Sequence, residues 1–227
     1  MADTLPEARH DDGEYWISIS DLMSGLMVVF LFIAVAYITN IYVTYERLQT
    51  RLYTELVNEF EQDLPRWNAI IKRQDLAVRF REPDVLFDVG SAYLKPRFQS
   101  ILDDFFPRYI RILTQDRYIG EIEEVRIEGH TSSEWTADAD SLEAYINNME
   151  LSQDRTRSVL SYVLSLQRVA ENYDWLIRRL TANGLSSSEP IFSPVDDTED
   201  RERSRRVEFR VRLDVESRLE AVISPRN

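Results

Sequence analysis

One acid, Asp21, interrupts SISDLMSGLMVVFLFIAVAYI (Ser18–Ile38), a run otherwise composed like a helix that lives in hydrocarbon. A carboxylate in that setting is a candidate functional group, because little water is there to stabilise its charge. An ionised Asp at the centre of a lone membrane helix costs about 2.5–3.5 kcal/mol, so such acids face a protein interior or a water-filled path. Asp21 therefore predicts a partner. On a helix its face is shared by Ser24, Gly25, Val28 and Phe32, and the small residues Ser20, Ser24 and Gly25 let other helices come close. The competing reading is an acid near one end of the span whose side chain reaches the headgroups.

Other reactive groups are scarce. There is no Cys, which excludes disulfides, thiol nucleophiles and Cys-based zinc sites. His10 and His130 are the two histidines, too few for a His-rich metal site. No nucleophile constellation, metal cluster or glycine-rich phosphate loop stands out, so neither catalysis nor a cofactor is expected. A formal net charge of -13 makes nucleic acid a poor partner and argues against binding to anionic headgroups through the soluble part.

The elements that must position Asp21 begin with a span. Leu22 to Tyr45 carries no charge, and at about 1.5 Å per residue such a helix crosses a hydrocarbon core of about 30 Å. Trp16 precedes it, and Tyr37, Tyr42 and Tyr45 lie toward its far end, where aromatic rings settle at interfaces. A cleaved signal peptide fits less well. Ala34-Val35-Ala36 has the small-x-small form of a cleavage site, but residues 1–14 hold five acids against Arg9 alone. Arg9 before the span and Arg47 and Arg51 after it place the amino terminus outside by the positive-inside rule.

Beyond the span, Tyr45, Leu48, Leu52, Leu56 and Phe60 recur at helical spacing among charges. That stripe needs a mate, either a second copy of the chain or the chain's own domain. Pro65 ends this helix and a short helical piece is expected over Trp67–Arg73. Next come a strand at Ala77–Arg81, a helix from Pro96 to about Thr114, a strand at Glu124–Glu128, a long helix over Ser141–Gln167 and a short one over Tyr173–Leu180. A loop then leads to a last strand at Arg206–Leu213. The fold class is α/β: a sandwich with helices on one face of a small mixed sheet, preceded by one transmembrane helix and a helical linker.

VLFDVGSAYLKP (Val85–Pro96), IEGHT (Ile127–Thr131), NMELSQDRTRSVLSYV (Asn148–Val163) and RERSRRVEF (Arg201–Phe209) follow one another as in the OmpA-like peptidoglycan-binding domain, which they resemble over about 125 residues. The membrane segment, with its S-D-L-M-S-G-L-M core, resembles that of flagellar stator B subunits of the MotB type. Together they look most like the B subunits of Zorya anti-phage defence systems. A flagellar stator subunit and a passive membrane-to-wall tether are the alternatives. The resemblance implies a cytoplasmic tail (1–14), a transmembrane helix (15–45), a periplasmic linker (46–75), a wall-binding domain (76–215) and a tail (216–227). It thus reverses the orientation given by the charge count: a single-pass inner-membrane protein with its amino terminus inside. It also implies that Asp21 carries H+ or Na+, that Ser24, Gly25 and Val28 face the channel, and that two copies sit in the bilayer within a ring of MotA-like (ZorA-type) polytopic subunits.

For the wall site, the resemblance implies peptidoglycan contacts from Asn148, Leu151, Ser152 and Arg155 (N-x-x-L-S-x-x-R) and from Thr131 and Ser132. Arg155 would hold the carboxylate of diaminopimelate through its guanidinium fork. The competing reading is a surface ion pair of Arg155 with Asp154 or Glu150. In the family an Asp follows Gly-His-Thr and holds the ammonium group; here that position is Ser132, and Glu134, Asp138 and Asp140 are the candidate substitutes. Arg205 and Arg206 are expected to fix the last strand to the site, and His130 is read as a turn or core residue.

Overall fold

A computed structural model of the chain describes residues 12–81, 86–136 and 138–214. Residues 1–11 of the expected amino-terminal tail (1–14), Val85 and the expected tail at 216–227 lie outside them. The chain divides into two compact units, the first ending at Glu46 and the second beginning at Arg47. Helix α1 (Asp12–Phe60) contributes to both.

In the first unit α1 is apolar all round. Leu22, Met23, Leu26, Met27, Phe30, Leu31, Phe32 and Ile33 are all exposed, as they must be on a helix solvated by lipid. The helix is long and apolar enough to cross a membrane once. Its hydroxyls are turned inward onto its own backbone: Ser20 Oγ donates to Trp16 O, Thr39 Oγ1 to Val35 O and Thr44 Oγ1 to Asn40 O, each at 2.8 Å. That leaves fewer donors to satisfy in hydrocarbon.

The second unit is a five-stranded mixed sheet with helices on one face. Its strands are β1 (Ala69–Lys72), β2 (Ala77–Arg81), β3 (Ile122–His130), β4 (Leu180–Gly184) and β5 (Arg206–Leu213), in the order β1-β2-β5-β3-β4. Only β3 and β4 run parallel. Their crossover consists of α3 (Ser141–Ser165), a 3-10 turn (Gln167–Asn172) and α4 (Tyr173–Arg179), while α2 (Pro96–Leu113) links β2 to β3. Pro96 opens α2, where its missing N–H costs nothing. Asp140 caps α3 by accepting from Leu142 N and Glu143 N at 2.9 and 2.8 Å.

The core is aromatic. Phe209 of β5 lies 5.1–6.1 Å, centroid to centroid, from Phe80, Phe105, Phe106 and Tyr109. The stripe on α1 finds its mate here rather than on a second copy: Leu52, Leu56 and Phe60 are fully buried, and the Phe60 ring lies tilted against Trp67 at 5.8 Å and Phe105 at 5.2 Å. Arg108 locks that contact by bonding Glu59 and Asp63 at 2.8 Å. Much of the stretch expected as a linker therefore supplies core and sheet. Two local expectations are corrected. Trp67–Arg73 is not helical: Ala69–Lys72 is an edge strand that pairs with Ala77–Phe80, and that ladder outweighs local preference in so short a run. Leu180–Gly184 is a fifth strand, on the opposite edge.

Candidate functional site

The residues singled out in the second unit converge where α3 crosses the carboxy-terminal ends of β3 and β4. Two glycines allow this. A Cβ on Gly184 would lie 2.3 Å from Gln153 N, and one on Gly129 would lie 2.7 Å from Thr156 Cγ2 and 3.0 Å from Ser152 O. Any larger residue would push the helix away and carry Arg155 with it. The glycine of Ile127–Thr131 is thus a packing requirement of the helix that bears the arginine.

Arg155 is largely buried, its guanidinium carbon 4.9 Å from the centre of the Phe87 ring. Nε donates to Ser91 O at 2.9 Å and Nη2 to Asp88 O at 3.3 Å. Stacking and carbonyl bonds fix the fork in one orientation. The ion pair beside it is a different one, Arg157 with Asp154 at 2.9 Å. Arg155 opens onto a cavity of about 500 Å³ whose wall also includes Thr131, Ser132, Asn148 and Leu151. Five of the six residues expected at the wall site therefore line one cavity. Ser152 lies beneath it, accepting from Ser186 N at 3.0 Å and so tying α3 to the loop after β4.

Reading the sequence missed Val89, Gly90, Trp135 and Thr136, which complete the wall together with Glu134 and Arg205. An aromatic next to an acid, Glu134-Trp135, in a loop that follows a strand was the available signal. The loop is pinned in several places. Thr131 N donates to Ser186 O at 2.9 Å, Asn148 Nδ2 to Glu134 O at 3.1 Å, and Ser133 to the Glu199 carboxylate through both N and Oγ. Of the three candidate acids, Glu134 lines the cavity; Asp140 is occupied as the helix cap and Asp138 is not part of the wall.

On the far face of the sheet is a charged network. Glu128 stands opposite Glu208 and Arg126 opposite Arg210 in the β3–β5 ladder, pairings that repel. Arg79 on β2 compensates by bonding Glu208 at 2.7 Å, Arg206 Nε bonds the same oxygen, and Arg210 reaches Glu128 at 2.9 Å. Burial alone would raise the Glu208 carboxyl, but the charge and hydrogen bond of Arg206, with Arg79 beyond, hold it below its ordinary value. His130 is buried 3.9 Å from both acids. Burial pushes its pKa down despite Glu128, so the ring is neutral at pH 7. Arg206 belongs to this network, donating also to Glu189 O and Ser204 O, whereas Arg205 belongs to the cavity.

In the first unit Asp21 lies on α1 among exposed apolar residues, and among the described residues it forms no salt bridge.

Comparison with known proteins agrees with this architecture. The OmpA family matches residues 86–205, which contain the cavity. A protein of Escherichia coli (Crooks strain) named Zorya protein ZorB is 47% identical over 229 residues, covering 96% of this chain and 96% of its own. The chain belongs to the ZorB family. A second ZorB, from Escherichia coli O139:H28 (strain E24377A), is 26% identical and covers 92% of this chain and 85% of its own. Among solved structures, a MotB-like protein from Desulfovibrio vulgaris superposes with a TM-score of 0.51 and 26% identity, over 73% of this ZorB-family chain and 91% of its own.

Proposed function

We propose that this chain is the wall-anchored B subunit of an ion-driven motor in the bacterial inner membrane, serving Zorya anti-phage defence. Two copies stand inside a ring of MotA-like, ZorA-type subunits. Each has its amino terminus in the cytoplasm and its domain in the periplasm, gripping peptidoglycan. The observation that carries the reading is an acid that forms no salt bridge among the described residues, in an otherwise apolar stretch of α1, on the same chain as a cavity presenting a fixed, stacked arginine. An acid so placed has to meet its counter-group on another subunit or give up its charge by binding H+ or Na+. Ser24, Gly25 and Val28 share its face and leave room for that subunit to approach. Each charge crossing the membrane releases about 2.3 kcal/mol per 100 mV, enough to bias a rotation between two packed states of a ring. In the cavity Arg155 binds a carboxylate of the wall peptide, with Asn148, Leu151, Thr131 and Ser132 shaping its surroundings. The domain is then held while the ring moves.

The test compares wild type, Asp21→Asn and Arg155→Ala in a host carrying the A-type subunit, scoring phage protection, swimming and co-purification. Asn keeps the shape of Asp and cannot titrate, so Asp21→Asn is expected to assemble with the A-type subunit, lose protection and leave swimming unchanged. If Asp21→Asn protects as well as wild type, the chain is not an ion carrier, and a passive tether between membrane and wall is the better account.

A further inference from the structure

Arg155 also borders a second, much smaller cavity of about 10 Å³, whose wall includes Phe87, Gly129, His130, Ser152 and Arg206. Its polar side chains are all buried. A space of that size is about enough for one water, provided that two or more polar groups can bond it.

His130 is the group on that wall with bonds to make. It is 3% exposed, and neither ring nitrogen has a hydrogen-bond partner among the described residues. Nε2 lies 3.9 Å from both Glu128 and Glu208, beyond hydrogen-bond reach. A neutral imidazole offers one acceptor nitrogen and one donor, and leaving them unmet in a buried place is costly. The other polar side chains on the wall are donors or already engaged. Arg155 and Arg206 can only donate, while Ser152 Oγ donates to Met149 O at 2.9 Å and accepts from Ser186 N at 3.0 Å. A water here takes hydrogens from the guanidinium side and gives one of its own to the ring.

We propose that His130 is a positioning residue for Arg155: its uncharged ring accepts from one buried water that itself accepts from the guanidinium, and this link holds the arginine in the orientation that binds the wall peptide. The inference rests on the wall-binding reading and makes that site sensitive to acid. A charged ring has two donors and no acceptor, so the water loses the group it donated to and a third cation stands beside Arg155 and Arg206. Binding then requires His130 neutral. Glu128 on its own strand, Glu208 on β5 and Glu189 in the loop after β4 favour the charged ring; Arg206 on β5 opposes it, and burial opposes it most, so the ring titrates below its ordinary 6.5. Arg79 on β2 and Arg210 on β5 hold the same acids, and Arg155 faces the cavity from α3.

The test uses the full chain in detergent micelles and calorimetric titration with the N-acetylated wall tripeptide ending in meso-diaminopimelate, from about pH 4 to 7. His130→Gln keeps an acceptor and cannot titrate; His130→Leu has a similar volume and no acceptor. Near pH 7, His130→Gln is expected to bind within about three-fold of wild type and His130→Leu about ten-fold more weakly. Toward the acid end wild type is expected to fall about ten-fold relative to His130→Gln, whose profile also records any titration of the peptide itself. Thermal melts at each pH establish that every variant is folded. If wild type and His130→Gln run parallel throughout, or if the Gln and Leu variants bind equally, His130 does not position Arg155 in this way. The wall-binding reading survives that result as long as Arg155→Ala abolishes binding. If folded wild-type protein does not bind the peptide at any pH, both fail.

Discussion

Glu208 and Asp21 are acids in stretches whose other residues are largely apolar or buried, and the chain treats them in opposite ways. Glu208 is enclosed by the sheet with Arg79 and Arg206 on one of its oxygens, and its charge is stabilised inside its own domain. Asp21 has no such pair among the described residues; its helix neighbours Leu22, Met23, Leu26 and Val28 are apolar and exposed. A carboxylate satisfied within the chain is part of the scaffold. On the proposed function, one left without a cation in an apolar stretch serves another subunit or a transported ion, and the contrast then separates the region that holds from the region that works.

The contrast breaks most readily at Glu208. Glu208→Gln leaves Arg79 and Arg206 buried around a neutral group, and loss of one partner of such a cluster costs about 3–5 kcal/mol. Chemical denaturation of the full chain in detergent, followed by the fluorescence of Trp67 in the core, should show a loss of that order, whereas Asp21→Asn should leave the domain's midpoint in place. Equal shifts for the two variants would remove the distinction.

Helix α1 offers a second comparison, one substitution in two settings. Leu56→Ala opens a cavity beside Phe60 and should cost the domain about 2–5 kcal/mol. Leu31→Ala, at an exposed position in the apolar stretch, should leave the same unfolding curve unmoved. If Leu56→Ala is also silent, the stripe does not belong to the domain core.

Acid should weaken the domain through the charged face of the sheet. Both His130 and Glu208 have folded values below their ordinary 6.5 and 4.5, so the unfolded chain binds more protons. Stability is therefore present in full above about pH 6.5, declines first as unfolded His130 protonates, and declines again below pH 4.5 as Glu208 is forced toward its neutral form. Melting temperatures across pH 4–8 should fall on acidification, and His130→Gln should flatten the upper part of the curve. A melting temperature that rises on acidification would contradict the sign.

The smallest effect belongs to Arg157, whose pair with Asp154 is on the surface of α3, two residues from Arg155. Arg157→Ala should cost no more than about 1 kcal/mol and leave peptide binding intact. A loss of binding there comparable to that of Arg155→Ala would mean that the guanidinium's fixed position in the cavity is not what matters.

Much of the fold was legible because its signals are periodic or punctuated. The alternation of Val207, Phe209, Val211 and Leu213 gave β5 its limits, Pro96 gave α2 its start, and the apolar run gave the span. β1 and β4 were not legible. AIIK and LTANG are four and five residues long, too short for either period to declare itself, and each exists by pairing at a sheet edge. The cavity divides the same way. Arg155, Asn148 and Leu151 sit at helical spacing within one motif. Glu134, Trp135 and Arg205 come from loops that only the crossing of α3 over β3 and β4 brings beside them.

By itself the sequence determined where lipid replaces water, which acid stands in that stretch and which arginine belongs to the wall motif, because composition and local spacing carry those signals. Only the tertiary structure decided that the stripe of α1 packs on its own domain, that Glu208 is a buried acid paired with Arg79 and Arg206 through one of its oxygens, and that Glu134 faces the cavity where Asp140 does not. Those outcomes depend on contacts between residues far apart in sequence, whose burial and charge pairing no local pattern encodes.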